Sequence, residues 1–418
     1  MFGSTVLAPT LMGMSTNTAL FFSGIGTIIF YIITGGRVPS YVGSSFGFIG
    51  VVCSVTGYVY GPNSGYNPHL DIAAGGILIC GLVYMAIATI VIFLGYGWVE
   101  FLLPPVVTGA VVMTIGIHLS TSAFTSATAT SFDGWMAFTT VMIISLTSVY
   151  APAFFKRIPL LVGMVIAYLI SMGCGMTGVT TPIDYTEVYN APWWAAPEFV
   201  KPSFNAQAIS TIVPVCIVLI AENLGHIKAI SAMSGTNLDR YVGRALLGDS
   251  IATIVASACG GTGVTSYSEN IGVMQITNVY SSLIFLGAAV IAIFLGFIQK
   301  FGAAIHSIPS GVFGGLSIVL FSMIAVAGAR IWVDNRVDFT QTRNLLVAGV
   351  PVILGASMQS TLKWGNFQLD GIGLPTYIAI LLHQILRGWD GFRDLYEKHQ
   401  QRRQMKKDDD CAIHEHPI

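Results

Sequence analysis

Apolar runs of about 20 residues recur from one end of this sequence to the other. Each run is long enough to cross the ~30 Å hydrocarbon core of a bilayer as a helix. Lipid offers no hydrogen-bond partner to an open backbone, so such runs must be helical. The composition agrees, because 54% of the residues are hydrophobic and only 9% are charged, against about 25% charged in soluble domains. The sequence therefore predicts an all-α polytopic membrane protein.

Fourteen transmembrane segments are predicted. The first is too short to span a bilayer, and the third and tenth are short and rich in Gly and Ser. A long loop at about 180–205 separates two halves of seven segments, and because seven is odd, the second half must be inverted relative to the first. The segments lie near 1–13, 16–35, 42–56, 71–95, 99–120, 134–151, 158–177, 208–225, 243–260, 269–280, 281–299, 309–329, 343–358 and 371–387.

The distribution of Lys and Arg predicts the orientation. With the N-terminus in the cytoplasm, sixteen of the 19 basic residues fall on the cytoplasmic side, and only Lys201, Lys300 and Lys363 fall outside. The excess of basic residues in cytoplasmic loops predicts that both termini are cytoplasmic. The chain opens without the charged region of a cleavable signal peptide.

Several classes of function are disfavoured. The net charge of −1 gives no reason to expect a nucleic-acid partner, and the six cysteines are scattered without metal-ligand or CxxC spacing. The sequence contains no HExxH, no phosphate-binding loop and no nucleophile–base spacing. We therefore expect neither an enzyme nor a bound metal or cofactor.

Two matched segments show the composition of broken helices. The third begins YVGSSFGFIG (41–50), and the tenth is preceded and opened by TSYSENIGVM (265–274). A short strand leading into a half-helix fits both. The start of a half-helix leaves N–H groups and a partial positive charge near the bilayer midplane, so the backbone near Phe46 and Ser268 can donate hydrogen bonds to a ligand. Ordinary packing of Gly and Ser between helices is the alternative.

An ionisable residue inside an apolar segment is costly unless it is paired or hydrated, and four such residues stand out. They are Glu222, His226, Asp249 and Glu269. Glu222 and His226 are four residues apart and share one helix face. Carboxylates accept hydrogen bonds from ring N–H groups, and backbone N–H groups donate to carbonyls, which matches uracil. A carboxyl that titrates near neutral pH, with His226 as relay, can carry a proton.

Structural roles remain open for these residues. Glu269 also suits a helix cap, and His226 suits a satisfied interior histidine. For Asp249 a structural role is the favoured interpretation, by hydrogen bonds that tie loops together.

The run SYSENIGVMQITNVYS (266–281) resembles the signature of the nucleobase–ascorbate transporter family, also called nucleobase:cation symporter-2. Its elements are Glu269, Asn270, Gly272 and Thr277, with Asn278 in place of the usual basic residue or glycine. AENLGHI (221–227) and PSYVGSSFGFI (39–49) resemble the uracil permease branch. Relatives carry a Gln-His pair upstream of MFGSTVLAP, so the first segment is expected to be incomplete at its start.

The resemblance implies two inverted seven-segment repeats that form a core and a gate domain. Segments 1–4 and 8–11 would form the core, and segments 5–7 and 12–14 the gate. The expected parts are residues 1–95 (core, first part), 96–204 (gate, first part), 205–300 (core, second part, with the substrate site), 301–388 (gate, second part) and 389–418 (cytoplasmic tail).

The resemblance also implies the site. The substrate would bind between segments 3, 8 and 10, to Glu222, Glu269 and the backbone at Phe46 and Ser268, with Ser45 and Tyr267 beside them. His226, with Glu222, would serve proton coupling, while Asp249 and Asn270 would be structural polar residues. Movement of the core against the gate, within a homodimer, would give alternating access.

A uracil:proton symporter is the favoured function, because Glu at the first signature position is similar to the uracil branch. A xanthine or urate symporter of the same family is the main alternative. An anion exchanger or channel on the same fold is a further alternative, although two acidic residues in the site disfavour an anionic substrate. A receptor without transport activity and sodium as the coupling ion also stay open.

Overall fold

The computed structural model describes residues 2–58, 60, 65–152, 154–267, 270, 274, 277, 279–358, 361–364 and 367–388. Helices dominate these residues, and two short strand pairs accompany them. The first half contains α1 (Phe2–Leu11), α2 (Thr16–Thr34), β1 (Val42–Ser44), α3 (Gly47–Thr56), α4 (Leu70–Leu94), α5 (Gly97–Leu102), α6 (Pro105–Ala127), α7 (Ser131–Tyr150), α8 (Pro159–Met176) and α9 (Thr186–Asn190).

The second half continues with the same kinds of element. It contains α10 (Ala206–Ile212), α11 (Val215–Ser234), α12 (Val242–Ala258), β2 (Val264–Ser266), α13 (Ser282–Phe297), α14 (Gln299–His306), α15 (Ser310–Asp334), α16 (Thr342–Ser357), β3 (Leu362–Trp364), β4 (Phe367–Leu369) and α17 (Gly373–Arg387). Two 3₁₀ turns lie at Phe155–Arg157 and Asp239–Tyr241.

The helices pack as two groups. In the first helix group, α12 packs on α2 and α4, α13 packs on α2, and β1 and β2 lie between α2 and α12. In the second helix group, α6 is central and packs against α15, α16 and α17, while α7 packs against α8 and α15. Helix α11 contacts both groups, through α4 and α12 on one side and α6 and α17 on the other. The division into a core and a gate domain stays a prediction.

Seven helical stretches among the described residues are long and apolar enough to cross a membrane, or eight if the bent pair α13–α14 counts as one span. The multi-pass architecture is therefore confirmed, whereas the count of fourteen segments stays a prediction. The seven are Thr16–Thr34, Leu70–Leu94, Pro105–Ala127, Ser131–Tyr150, Pro159–Met176, Ala206–Ser234 and Ser310–Asp334.

Three local features differ from the sequence expectations. The eighth segment is divided into α10 and α11 beside Pro214, the N-cap of α11, and proline lacks the N–H that an uninterrupted helix needs. The chain bends by 81° between α13 and α14. A hairpin of β3 and β4 pairs Leu362 with Leu369, in a stretch where no strand was predicted.

Candidate functional site

Two three-residue strands, one from each half of the chain, pair with each other within the first helix group. We call this strand pair the strand crossing. β1 and β2 are antiparallel, with Val42 opposite Ser266 and Ser44 opposite Val264. The pairing extends past both ends, because Tyr267 N donates to Tyr41 O at 3.1 Å and Ser45 N donates to Gly263 O at 2.9 Å. The strand predicted in the third segment is thus confirmed, and its partner β2 leads into the signature run, which begins at Ser266.

A two-stranded pair leaves the outer backbone groups of both strands without a ladder partner, and buried groups must find one elsewhere. Threonines supply it in the same way in both halves. Thr27 Oγ1 on α2 accepts from Val42 N at 3.0 Å, and its one hydrogen is shared between Val42 O at 3.1 Å and Ser23 O at 2.8 Å. Thr253 Oγ1 on α12 accepts from Val264 N at 3.1 Å and donates to Val264 O at 3.0 Å. The matched pair is a structural repeat between the halves.

Asp249 fixes the outer edge of β2. Its Oδ2 accepts from Ser266 N at 3.1 Å and from Nδ2 of Asn223 on α11. Asp249 and Asn223 are fully buried. The carboxylate therefore ties β2 to both α11 and α12, which is the kind of contact that its favoured structural interpretation requires.

The half-helix α3 begins beside β1. Ser45 Oγ accepts from Gly47 N at 3.2 Å and so caps the first turn, while Phe46 occupies the N-cap position with helical backbone angles. Both side chains are buried. The start of α3, with its positive helix end, therefore lies at the strand crossing as the sequence predicted.

The side chains of Tyr267 and Asn270 donate further hydrogen bonds to the backbone in and beside β1. Tyr267 Oη donates to Ser44 O at 3.2 Å, and a Cβ on Gly43 would lie only 2.5 Å from that hydroxyl, so only glycine fits there. Asn270 Nδ2 donates to Tyr41 O at 3.0 Å. Both side chains are buried and join the tenth segment to the chain that leads into β1.

Glu222 and His226 lie one turn apart on α11, which packs against β2. The His226 ring is buried, and its Nδ1 lies 3.5 Å from Ser266 Oγ on β2. The described strand crossing and these two α11 residues therefore share one region. Ser268 and Glu269 lie outside the described residues, as does the tail 389–418.

Two residues near this region were missed in the sequence analysis. Tyr84 on α4 is fully buried, on a helix that packs against both α11 and α12. Phe321 on α15 packs edge-to-face on Phe46, with 5.8 Å between the ring centroids. A tyrosine or phenylalanine in an apolar run carries no sequence signal that distinguishes it from a core residue. In the fold, the contact of Phe321 with Phe46 brings the second helix group to the site.

Comparison with known proteins decides the family. A model described as the permease family matches residues 1–363. The chain belongs to this family, the nucleobase–ascorbate transporters. It is therefore a permease and not an enzyme, and it is a multi-pass membrane protein.

Several relatives are similar over nearly the whole chain. RutG of Escherichia coli (strain K12), which bears the name pyrimidine permease, is 51% identical over 387 residues, covering 92% of this chain and 87% of its own. The uracil permease of Bacillus subtilis (strain 168) is 37% identical over 409 residues, covering 92% and 90%. The uracil permease of Bacillus caldolyticus is 38% identical over 416 residues, covering 96% and 93%.

Solved structures share the fold of this permease. SLC26A9 matches 93% of this chain with a TM-score of 0.66 and 13% identity, and this chain spans 64% of that protein. The transmembrane domain of the cyanobacterial bicarbonate transporter BicA matches 91% of this chain and 96% of its own, with a TM-score of 0.57 and 16% identity. At such identities the likeness extends to the membrane-transporter fold alone.

Proposed function

We propose that this permease carries uracil across the membrane by proton symport. The observation that carries the proposal is the likeness to proteins named uracil or pyrimidine permeases, at 37–51% identity over about nine-tenths of the chain. The strand crossing adds a physical reason. It brings a helix start and the carboxylate-bearing helix α11 to one buried region.

Hydrogen-bond complementarity supports a nucleobase as substrate. Uracil has two ring N–H donors and two carbonyl acceptors. Glu222, with Glu269 of the signature, would accept from the ring N–H groups, and backbone N–H groups at Phe46 and Ser268 would donate to the carbonyls. Phe46 lies at the start of α3, and its ring contact with Phe321 would give the second helix group a wall of the same site.

The pair of Glu222 and His226 is the proposed proton carrier. The two residues are four apart on α11, so their side chains share one face. Ser266 Oγ, at 3.5 Å from His226 Nδ1, links the ring to β2. A proton taken up by this pair from the bulk would neutralise the Glu222 carboxylate while the substrate site turns from one side of the membrane to the other. Sodium in place of the proton is an outcome that the test below separates.

Alternating access is proposed to arise by an elevator motion. The first helix group would act as the core and move with the substrate, and the second helix group would act as the gate. The two groups meet over limited surfaces, among them the contacts of α11 with α6 and α17, which suits relative motion. We further propose a homodimer built on the gate, with both termini in the cytoplasm.

Uptake of radiolabelled uracil by cells that lack their own permease tests the proposal. We expect saturable uptake that is faster at about pH 5 than at about pH 8 and that collapses with a protonophore. Unlabelled xanthine should not compete. Competition by xanthine would instead indicate a purine carrier, and uptake that follows sodium and ignores the protonophore would contradict proton coupling.

Matched variants assign the residues. Glu222→Gln and His226→Gln should each lower uptake by at least about tenfold, as expected for loss of one buried charged contact. Glu187 on α9 and His69 at the start of α4 are exposed, so Glu187→Gln and His69→Gln are the controls and should retain wild-type uptake. Wild-type uptake by Glu222→Gln would refute its role.

A further inference from the structure

Two ring contacts join the third segment to α15 of the second helix group. Phe46, at the start of α3, packs edge-to-face on Phe321, with 5.8 Å between the ring centroids. Tyr60, just past the end of α3, packs on Phe313, with 4.8 Å between the centroids and 34° between the ring planes. The two contacts follow opposite orders along the two elements, so α3 and α15 are antiparallel. We call the boundary between them the α3–α15 seam.

Between the two contacts, α3 continues to face the second helix group. Helix α3 itself packs on α4 of the first group. A Cβ on Gly50 would lie 2.6 Å from Asp370 Oδ2 and 3.7 Å from Nε2 of His118 on α6. Phe313 and Phe321 are eight residues apart, which is about 12 Å along a helix axis. The seam therefore leads from the proposed substrate site to the start of α15.

The start of α15 lies on the outer side of the membrane in the proposed orientation. A second aromatic contact lies there. Tyr66, in the same connection between α3 and α4 as Tyr60, packs its ring on that of His306, the last residue of α14, with 4.9 Å between the centroids. Two tyrosines of one connection thus meet the chain on either side of the junction between α14 and α15.

Each side of these contacts is fixed to its own helix group. Asn67 N donates to Gly13 O at 2.9 Å, and Asn67 Nδ2 donates to Met12 O at 3.1 Å, which ties the connection to the turn between α1 and α2. On the other side, Ser307 Oγ lies at hydrogen-bond distance, 2.8 Å, from Tyr168 Oη on α8. The ring contacts therefore join two bodies that the proposed elevator motion would move relative to each other.

We propose that the ring contact of Tyr60 with Phe313 is the outer closure of this permease, which shuts the α3–α15 seam above the substrate site and separates when the site opens to the outside. Phe313 is only 1% exposed, whereas Tyr66 is 51% exposed. The Tyr60 contact is thus the inner seal, and the contact of Tyr66 with His306 forms its rim. The role in opening rests on the proposed transport function and orientation.

Labelling of a thiol below the closure tests the proposal without transport. Ser317 is fully buried and lies four residues from both Phe313 and Phe321, on the face of α15 that they share. Ser317→Cys should react slowly with a membrane-impermeant maleimide added outside intact cells. Adding Tyr60→Leu removes the ring but keeps an apolar side chain. It should raise the labelling rate roughly threefold to tenfold, the population shift expected for loss of one aromatic pair.

Matched variants in the same Ser317→Cys background separate opening of the closure from damage to the fold. Tyr60→Phe keeps the ring and should label at the parent rate. Tyr189→Leu removes an exposed tyrosine of α9 and should also leave the rate unchanged. Phe313→Leu removes the other ring of the pair and should match Tyr60→Leu, so the test stands if one of these two variants fails to fold. Peptide mass spectrometry locates the label, so the six native cysteines stay in place.

Bridging the closure tests its role in the transport cycle. In Tyr60→Cys combined with Phe313→Cys, a short bis-methanethiosulfonate should stop uracil uptake and a reductant should restore it, while each single variant should keep its uptake in the reagent. Uptake that continues after complete bridging, or equal labelling rates in Tyr60→Leu, Phe313→Leu and their parent, would overturn the proposal. If the wild type takes up no uracil, the proposed function fails, and the labelling rates still decide whether the rings close the seam.

Discussion

The threonine that holds β2 should matter more for stability than its counterpart that holds β1. Replacing Thr253 by Val keeps the shape but removes the hydroxyl, and it leaves both Val264 N and Val264 O without their partner. Replacing Thr27 by Val leaves only Val42 N in that state, because Val42 O still accepts from Ser23 Oγ at 2.6 Å. All of these groups are buried.

The magnitudes follow from the number of orphaned groups. Each buried backbone group left without a partner costs about 1–3 kcal/mol. Thr253→Val should therefore lower the free energy of unfolding by about 2–6 kcal/mol, and Thr27→Val by about 1–3 kcal/mol. Both variants lose one hydroxyl, so the difference between their unfolding free energies tests which outer backbone groups of the strand pair are left without a partner.

Steric trapping in lipid nanodiscs measures the free energy of unfolding directly. Thr89→Val is the matched control, because Thr89 is exposed on α4 and, among the described residues, its hydroxyl bonds only to Met85 O, one turn earlier on the same helix. It should change the stability by less than about 0.5 kcal/mol. If Thr253→Val cost no more than Thr27→Val, or if both behaved like the control, the account of the strand crossing would be wrong.

Two further perturbations probe packing and charge in the same assay. A Cβ on Gly302 would lie 1.8 Å from Asn17 Oδ1, so Gly302→Ala should lower the free energy of unfolding by about 1–3 kcal/mol through overpacking. A Cβ on Gly173 meets open space, so the control Gly173→Ala should stay within about 1 kcal/mol of the wild type. Equal effects of the two variants would contradict the close approach at Gly302. Lys228 pairs with Glu100 at a partly exposed position, so Lys228→Met should cost less than about 1 kcal/mol, and a larger loss would show that the pair is effectively buried.

The third segment shows why the broken helices were predictable. Its Gly and Ser residues lower helix propensity over four positions, and the same composition recurs before the tenth segment. The strand pairing itself follows from the two halves meeting in three dimensions, which the sequence does not encode locally. Asp249 shows the same limit, since its acidity inside an apolar run was visible but its partner Ser266 N depends on which edge of β2 faces outward.

Other features of the fold have sequence signals of their own. Pro214 marks the break between α10 and α11, and the pair Gly365-Asn366 between β3 and β4 is of a turn-forming type. His118 lies inside the fifth segment and, like His226, is an ionisable residue in an apolar run. The 81° bend between α13 and α14 has no proline, and at the bend Asn17 Nδ2 donates to the carbonyl of Ile298 at 2.8 Å.

Uptake into proteoliposomes with an imposed proton gradient tests the central claim most directly. The purified chain, with no other protein present, should accumulate radiolabelled uracil above the outside concentration when the proton gradient points inward. Accumulation should vanish when the gradient is dissipated and in Glu222→Gln, and it should persist in Glu187→Gln. Accumulation without a proton gradient, or full activity of Glu222→Gln, would contradict proton symport through this site.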